Sequence, residues 1–297
     1  RWVAHWLEKT AARPYAYHIR LSVSTDRGAT WSPPATAHRD TSSTEHGFVS
    51  LVPRPRGGAD LIWLDGRGFD GTTRTGSMRV YAGTLDEAGA PAGETVLDAR
   101  TCECCQTALA RTSEGLIAAY RDRSEAEIRD IAVARQVGGR WTDPVIVHPD
   151  RWEFRACPVN GPQLAAEGQR VALAWFTGAG GPRVQLALSA DAGATFGAPL
   201  RIDDGNPLGR VEVVWLPDGS ATVFWLEIAG EAGEWRAKRI TAAGRVTGRW
   251  TATRTSRTRD AGFLRAAAGP AGLFYAWTAP GPDGGVRIAR RAIPAGR

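Results

Sequence analysis

The chain has 297 residues and a mass of 31.8 kDa, with 43% hydrophobic and 23% charged residues, enough apolar material for a substantial core and too much for a disordered or low-complexity protein. No apolar run approaches the length of a membrane-spanning helix. The net charge of +6 arises from 37 basic and 31 acidic residues, and the arginines are interleaved with acids instead of clustered, which argues against a nucleic-acid partner.

Taken in chain order, short alternating strands with an aromatic near the end recur around Trp6, Trp63, Tyr120, Trp175, Trp225 and Trp277, at intervals of 57, 57, 55, 50 and 52 residues. A tight glycine turn precedes five of these strands. A second strand follows each, opening near Arg20, Arg79, Arg129, Arg183, Arg236 or Arg287. No segment carries a helical apolar stripe. Units of this length with three or four strands, repeated six times, predict an all-β, six-bladed β-propeller of four-stranded antiparallel blades in a single domain. The blades fall near residues 1–40, 41–100, 101–150, 151–204, 205–255 and 256–297, the first and last incomplete. The first repeat opens on its second strand and the last ends soon after its third, so an N-terminal strand is expected to complete the last blade. The recurrent aromatic is expected to fill the space between blades.

Two segments are more specific. Ser24-Thr25-Asp26-Arg27-Gly28-Ala29-Thr30-Trp31 and Ser189-Ala190-Asp191-Ala192-Gly193-Ala194-Thr195-Phe196 both read S-x-D-x-G-x-x-aromatic, and looser versions end at Trp141 and Trp250. They resemble the Asp-box of the sialidase superfamily. The resemblance implies a turn between the third and fourth strands of a blade, with the Asp satisfying backbone donors, the glycine in an open conformation and the aromatic packed inward. It speaks to scaffold more than chemistry, because Asp-boxes lie opposite that family's active face and also occur in non-enzymes. The family's arginine cluster, Tyr–Glu nucleophile pair and acid/base Asp imply an exo-sialidase-type glycoside hydrolase. Its first-blade arginine motif is absent here. Arg210 and Glu212, two apart on an inner strand and therefore on one face, are catalytic candidates with Tyr275, and Arg265 joins them in lining the pore.

The four cysteines are concentrated: Cys102, Cys104 and Cys105 in T-C-E-C-C-Q-T, and Cys157 in F-R-A-C-P-V-N. On the repeat map both segments connect one blade to the next on the same face, so they are expected to meet in space. His46 occupies the equivalent connection one blade earlier. Four readings stand: structural disulfides in an exported protein, with a Cys102–Cys157 bridge stapling two blades; a soft-metal site for copper or zinc; thiol redox chemistry at Cys104 and Cys105; and inert buried thiols. Copper is the favoured metal, with Cys102, Cys104, Cys105, Cys157 and His46 as its ligands. His5 and His18 read as packing or surface residues, and His38 and His148 lack a partner motif.

Asp65, Arg67, Arg121, Asp122, Arg155 and Asn160 are expected on the same upper face as ligand-binding residues, with Arg123, Glu103 and Gln106 beside them. The functional expectation is a periplasmic or secreted metal-binding propeller. The alternatives are a sialidase-type hydrolase or a non-catalytic propeller that binds a glycan or a protein partner on its upper face.

Overall fold

The computed structural model describes residues 1–70, 73, 75–279 and 284–293. These form a six-bladed β-propeller. Blade one contains Trp2–Lys9, Tyr17–Ser24 and Ala35–Thr36, and blade two contains His46–Pro53, Ala59–Asp65, Arg79–Leu85 and Pro91–Asp98. Blade three is built from Ala108–Arg111, Leu116–Arg121 and Ile131–Val137, whose outer edge pairs with both Arg140–Trp141 and Val145–His148. Blade four holds Gln163–Glu167, Arg170–Thr177, Arg183–Ser189 and Leu200–Arg201; blade five holds Pro207–Trp215, Ala221–Ala229, Ala232–Ile240 and Val246–Thr255. Blade six has Arg265–Gly269, Gly272–Ala279 and Gly285–Arg291. Within each blade neighbouring strands are antiparallel, so the connections between blades and the loops joining second to third strands share one end, here called the upper face.

The second strands are the most buried because they face blades on both sides. Every residue of Ala59–Asp65 and Leu116–Arg121 is buried. Trp63, Tyr120, Trp175 and Trp225 have no solvent exposure, as the repeat predicts. Truncating such an aromatic costs roughly 3–5 kcal/mol. Their polar atoms are capped by carboxylates: Trp63 Nε1 donates to Asp65 at 2.8 Å, Trp175 Nε1 to Asp150 at 2.7 Å, Tyr120 Oη to Asp98 at 2.8 Å, and Trp225 Nε1 to Glu227.

Five apolar clusters hold the ring together, one at each successive boundary from blades one and two to blades five and six. No corresponding cluster joins blade six to blade one among the described residues. At this seam Trp2, Trp6, Val286 and Ile288 are exposed, Ile288 to 73%. Trp6 therefore does not fill an interblade space as its counterparts do. Trp2–Lys9 pairs with Tyr17–Ser24 in its own blade. Among the described residues the two end blades keep three strands each, and the expected completion of the last blade by an N-terminal strand is not what the strand pairing contains.

The two S-x-D-x-G segments fold alike, between the third and fourth strands of blades one and four. Asp26 accepts hydrogen bonds from the Thr30 N–H at 2.9 Å and its hydroxyl at 2.6 Å, and Ser24 Oγ accepts from the Gly28 N–H at 2.8 Å. Asp191, Thr195, Ser189 and Gly193 repeat this pattern at 2.9, 2.6 and 2.9 Å. The hydroxyl and amide donors of Thr30 and Thr195 depress both carboxyls to about 2. Gly28 and Gly193 adopt φ of 92° and 81°, and a Cβ at Gly193 would lie 2.3 Å from Ile117. The closing aromatics differ: Phe196 packs against the core between blades three and four, whereas Trp31 is exposed.

Candidate functional site on the upper face

The connections between blades place the cysteines together. Cys104 and Cys157, 53 residues apart, form a disulfide that straddles blade three, and Cys102 is bonded to Cys105. All four cysteines are thus in disulfides. Cys102, Cys104 and Cys105 offer sulfur atoms within 4.8 Å of one another. His46 groups elsewhere, with His18, His38, Asp40 and Asp65 at the boundary of blades one and two. The single cluster of four cysteines with His46 expected from the repeat map is therefore two clusters, because His46 begins the inner strand of blade two and turns toward blade one.

Most of the Asp and Arg residues singled out in the sequence tie loops together. Asp65 accepts two bonds from the Arg67 guanidinium, at 2.7 and 2.8 Å, and one from its backbone N–H at 3.0 Å. Arg67 also stacks over Tyr81. Arg121 is buried and spends its guanidinium on the carbonyls of Asn160, Arg129 and Phe176, at 2.7, 2.5 and 2.6 Å, with its plane over Trp152. Burial pushes its acidity up, to a pKa of about 9. Arg155 is exposed and pairs with Glu153 at 2.9 Å. Arg123 and Arg129 share Glu103 and Glu127 in a closed ion network. Gln106 Oε1 accepts from the Gly161 N–H at 3.0 Å, bringing the two cysteine-bearing connections into register.

Three carboxyl groups on or near this face are raised by burial. Asp122 is pushed up to about 6, helped by Asp98 and Asp130; Glu45 reaches about 7, helped by Glu103. Glu212 is also pushed up to about 7, although Arg265 lies 3.1 Å away. Arg210 and Glu212 do not follow simple alternation. The strand has register shifts on both sides of Gly209, and Arg210 has φ of 53°, so the two-residue spacing carries no information about a shared face there. Both nevertheless reach blade six, Arg210 through the Gly262 carbonyl at 3.0 Å and Glu212 through Arg265. Tyr275 is a packing residue: it is buried between blades five and six against Phe224 and Trp277.

Asn160 links blades four and five, accepting from the Arg210 N–H at 2.7 Å and donating to the Leu208 carbonyl at 3.2 Å. Beside it an open cleft is lined by Val159, Asn160, Leu208, Arg210, Arg257 and Arg259. Arg257 and Arg259 went unnoticed in the sequence, though their position between the last strand of blade five and the first of blade six marks them for the upper face.

His18 and His38 were also missed as partners. His38 is buried, and its ring stacks on that of His46 with centroids 3.9 Å apart. Burial, then the neighbouring His46 and His18, holds its pKa down to about 3. The legible signal was positional: His18 opens a third strand, while His38 and His46 flank a connection between blades.

No protein-family model matches this sequence, and no curated protein is similar to it by sequence. Among solved structures the chain is similar to an α-L-arabinanase of Penicillium chrysogenum, at 14% identity and a TM-score of 0.58 over 97% of this chain and 89% of the other. The NanB sialidase of Streptococcus pneumoniae gives 12% identity and a TM-score of 0.57 over 93% of this chain; the chain spans 62% of that protein's length. An ulvan lyase bound to -[GlcA(1-4)Rha3S]- gives 10% identity and a TM-score of 0.57 over 96% and 77%. The fold is a sialidase-like propeller. Among the described residues no helix is long and apolar enough to cross a membrane.

Proposed function

We propose that this chain is an exported, carbohydrate-active propeller that takes an acidic saccharide on its upper face. The observation that carries the reading is that Arg210, Arg257 and Arg259 line one open cleft, whose wall the Asn160 amide fixes through the Arg210 N–H and the Leu208 carbonyl. Guanidinium groups pair bidentately with carboxylate or sulfate, and an acidic sugar would compete with the Glu231 carboxylate that now holds Arg257 at 2.8 Å. Glu212, on the same inner strand as Arg210, is the candidate proton donor, since a carboxyl group titrating near 7 retains a transferable proton at neutral pH. One structural neighbour, the ulvan lyase, holds the anionic -[GlcA(1-4)Rha3S]- and another is a sialidase, and these lend support to an anionic sugar, whereas the arabinanase holds arabinobiose. Two disulfides support an oxidising compartment.

A panel of fluorogenic sialosides and uronic-acid oligosaccharides tests this. Turnover or binding is expected with acidic and not neutral sugars. Arg210→Ala should weaken binding at least tenfold, and Glu212→Gln should retain binding while losing turnover. Binding without turnover would make this a glycan-binding propeller; no response to any acidic glycan would overturn the reading.

A second reading follows from the grouped sulfur atoms of Cys102, Cys104 and Cys105. On reduction these and Cys157 would offer thiolates to a soft ion such as Cu(I) or zinc. Elemental analysis of reduced protein purified without chelator tests it, and absence of stoichiometric metal would remove it.

A further inference from the structure

We infer that His18, His38 and His46, with Asp40, form a binding site for a divalent transition-metal ion of the zinc class, separate from the cysteines and from the cationic cleft. Three of the five histidines of the chain come together here from positions 18, 38 and 46, with ligand atoms within 4.8 Å of one another. The hydrogen bonds assign the tautomers. His46 Nδ1 lies 2.9 Å from the Tyr17 carbonyl, which can only accept, so Nδ1 carries a proton and Nε2 is the atom turned toward the carboxylates. That atom faces Asp40 Oδ2 at 3.0 Å and Asp65 Oδ2 at 3.5 Å. A ring nitrogen between two carboxylates at these distances needs a cation among them, either a proton on Nε2 or a metal ion in its place.

The other two rings supply the rest of the set. His18 Nε2 lies 3.2 Å from the Ser42 carbonyl and donates to it, which leaves Nδ1 as a lone pair. His38 Nε2 accepts the Ile19 N–H at a long 3.3 Å, so its lone pair is only weakly engaged and is the one a metal would take, while the protonated Nδ1 is buried with no hydrogen-bond partner among the described residues. An unsatisfied buried ring N–H is costly, so the ring is not settled by its present contacts and can turn to present Nε2 to an ion. Metal-bound imidazoles usually donate their second nitrogen to a backbone carbonyl or a carboxylate, as His46 and His18 do to Tyr17 and Ser42. Asp65, locked by Trp63 and Arg67, is a fixed outer carboxylate, whereas Asp40 is partly exposed and marks the route of entry. Three imidazoles and one carboxylate suit zinc and its first-row neighbours. The in-plane lone pairs of His38 and His46 cannot converge while the rings are stacked, so binding turns one ring off the stack.

The test uses the intact, oxidised protein after chelator dialysis, with a free-thiol count of zero. Titration with Co2+ should give one equivalent with visible d–d bands, lacking a thiolate charge-transfer band and displaced by one equivalent of Zn2+. His18→Ala is the mildest change because His18 is only partly buried; it should lower the Zn2+ affinity at least tenfold with an unchanged circular-dichroism spectrum, and Asp40→Asn should lower it about tenfold. His148→Ala should leave it unchanged. Saturating Zn2+ should raise the unfolding midpoint of the wild type and not of His18→Ala. Failure to bind Co2+ or Zn2+ stoichiometrically, retention of full affinity by His18→Ala, or a thiolate band would each overturn the proposal. So would nitrogen NMR showing His46 doubly protonated above pH 8 in a protein that takes up no metal, because the cation between His46 and Asp40 would then be a proton. None of these outcomes bears on saccharide binding in the cleft.

Discussion

The carboxyl group of Glu212, buried on the inner strand of blade five, lies 3.1 Å from the guanidinium of Arg265 in blade six, yet it titrates near neutrality. Burial outweighs the ion pair because Arg265 is largely solvent-exposed and Glu212 is not.

The pH dependence of stability follows from that balance. A carboxyl group whose pKa is raised in the folded state from 4.5 to about 7 binds its proton more tightly when folded. Its contribution is fully present below pH 4.5 and is lost as pH rises toward 7. Glu45 and Asp122 act in the same direction. His38, held down from 6.5 to about 3, opposes this by adding stability as pH rises to 6.5. The three carboxyl groups together outweigh one histidine, so wild-type stability should fall between pH 5 and 7.5, and Glu212→Gln should flatten that fall by roughly 1–3 kcal/mol in urea titrations at the two pH values.

The interblade disulfide should matter more than the local one. In the chain-entropy account, closing a loop of 53 residues stabilises by about 4 kcal/mol and closing one of three residues by much less. The double variant Cys104→Ser/Cys157→Ser is expected to lose about 2–4 kcal/mol in urea unfolding, roughly two to three times the loss from Cys102→Ser/Cys105→Ser.

Arg121 is the most demanding single side chain. It donates to three carbonyls drawn from blades three and four and the connection between them. A lysine offers one ammonium group and cannot span the three. Arg121→Lys should cost about 3 kcal/mol or more, read as a lowered urea midpoint at constant slope.

Amide exchange should be graded around the ring. Blades two to five are packed on both sides by apolar clusters, whereas blades one and six are packed on one side each among the described residues. Exchange in Ala59–Asp65, Leu116–Arg121 and Arg170–Thr177 should be slowest; Trp2–Lys9 and Gly285–Arg291 should exchange first. Uniform protection would contradict this picture.

Legibility in the sequence followed the physics of each signal. The spacing of Trp63, Tyr120, Trp175 and Trp225 was readable because each second strand must offer a large apolar group to its neighbours. The meeting of the two cysteine-bearing connections was readable because equivalent connections of successive blades converge, but the partner of Cys157 was not: the bridge is made by Cys104 and not by Cys102, which bonds Cys105. Alternation failed at Arg210, where a bulge removes the two-residue period, and Tyr275 resembled a catalytic residue only until its packing against Phe224 was seen. His18 and His38 were passed over because an isolated histidine in or beside a strand carries no pattern; only the fold brings three of them together. The Asp65–Arg67 pair was visible, but its exhaustion by mutual hydrogen bonds was not.

The Cys104–Cys157 bond and the Gly161 N–H to Gln106 Oε1 hydrogen bond join the same two connections on either side of blade three. One tie is sensitive to reductant and the other is not, so reduction alone leaves these two segments still tethered, and the loss of the covalent tie is felt in the unfolded chain more than in the folded one.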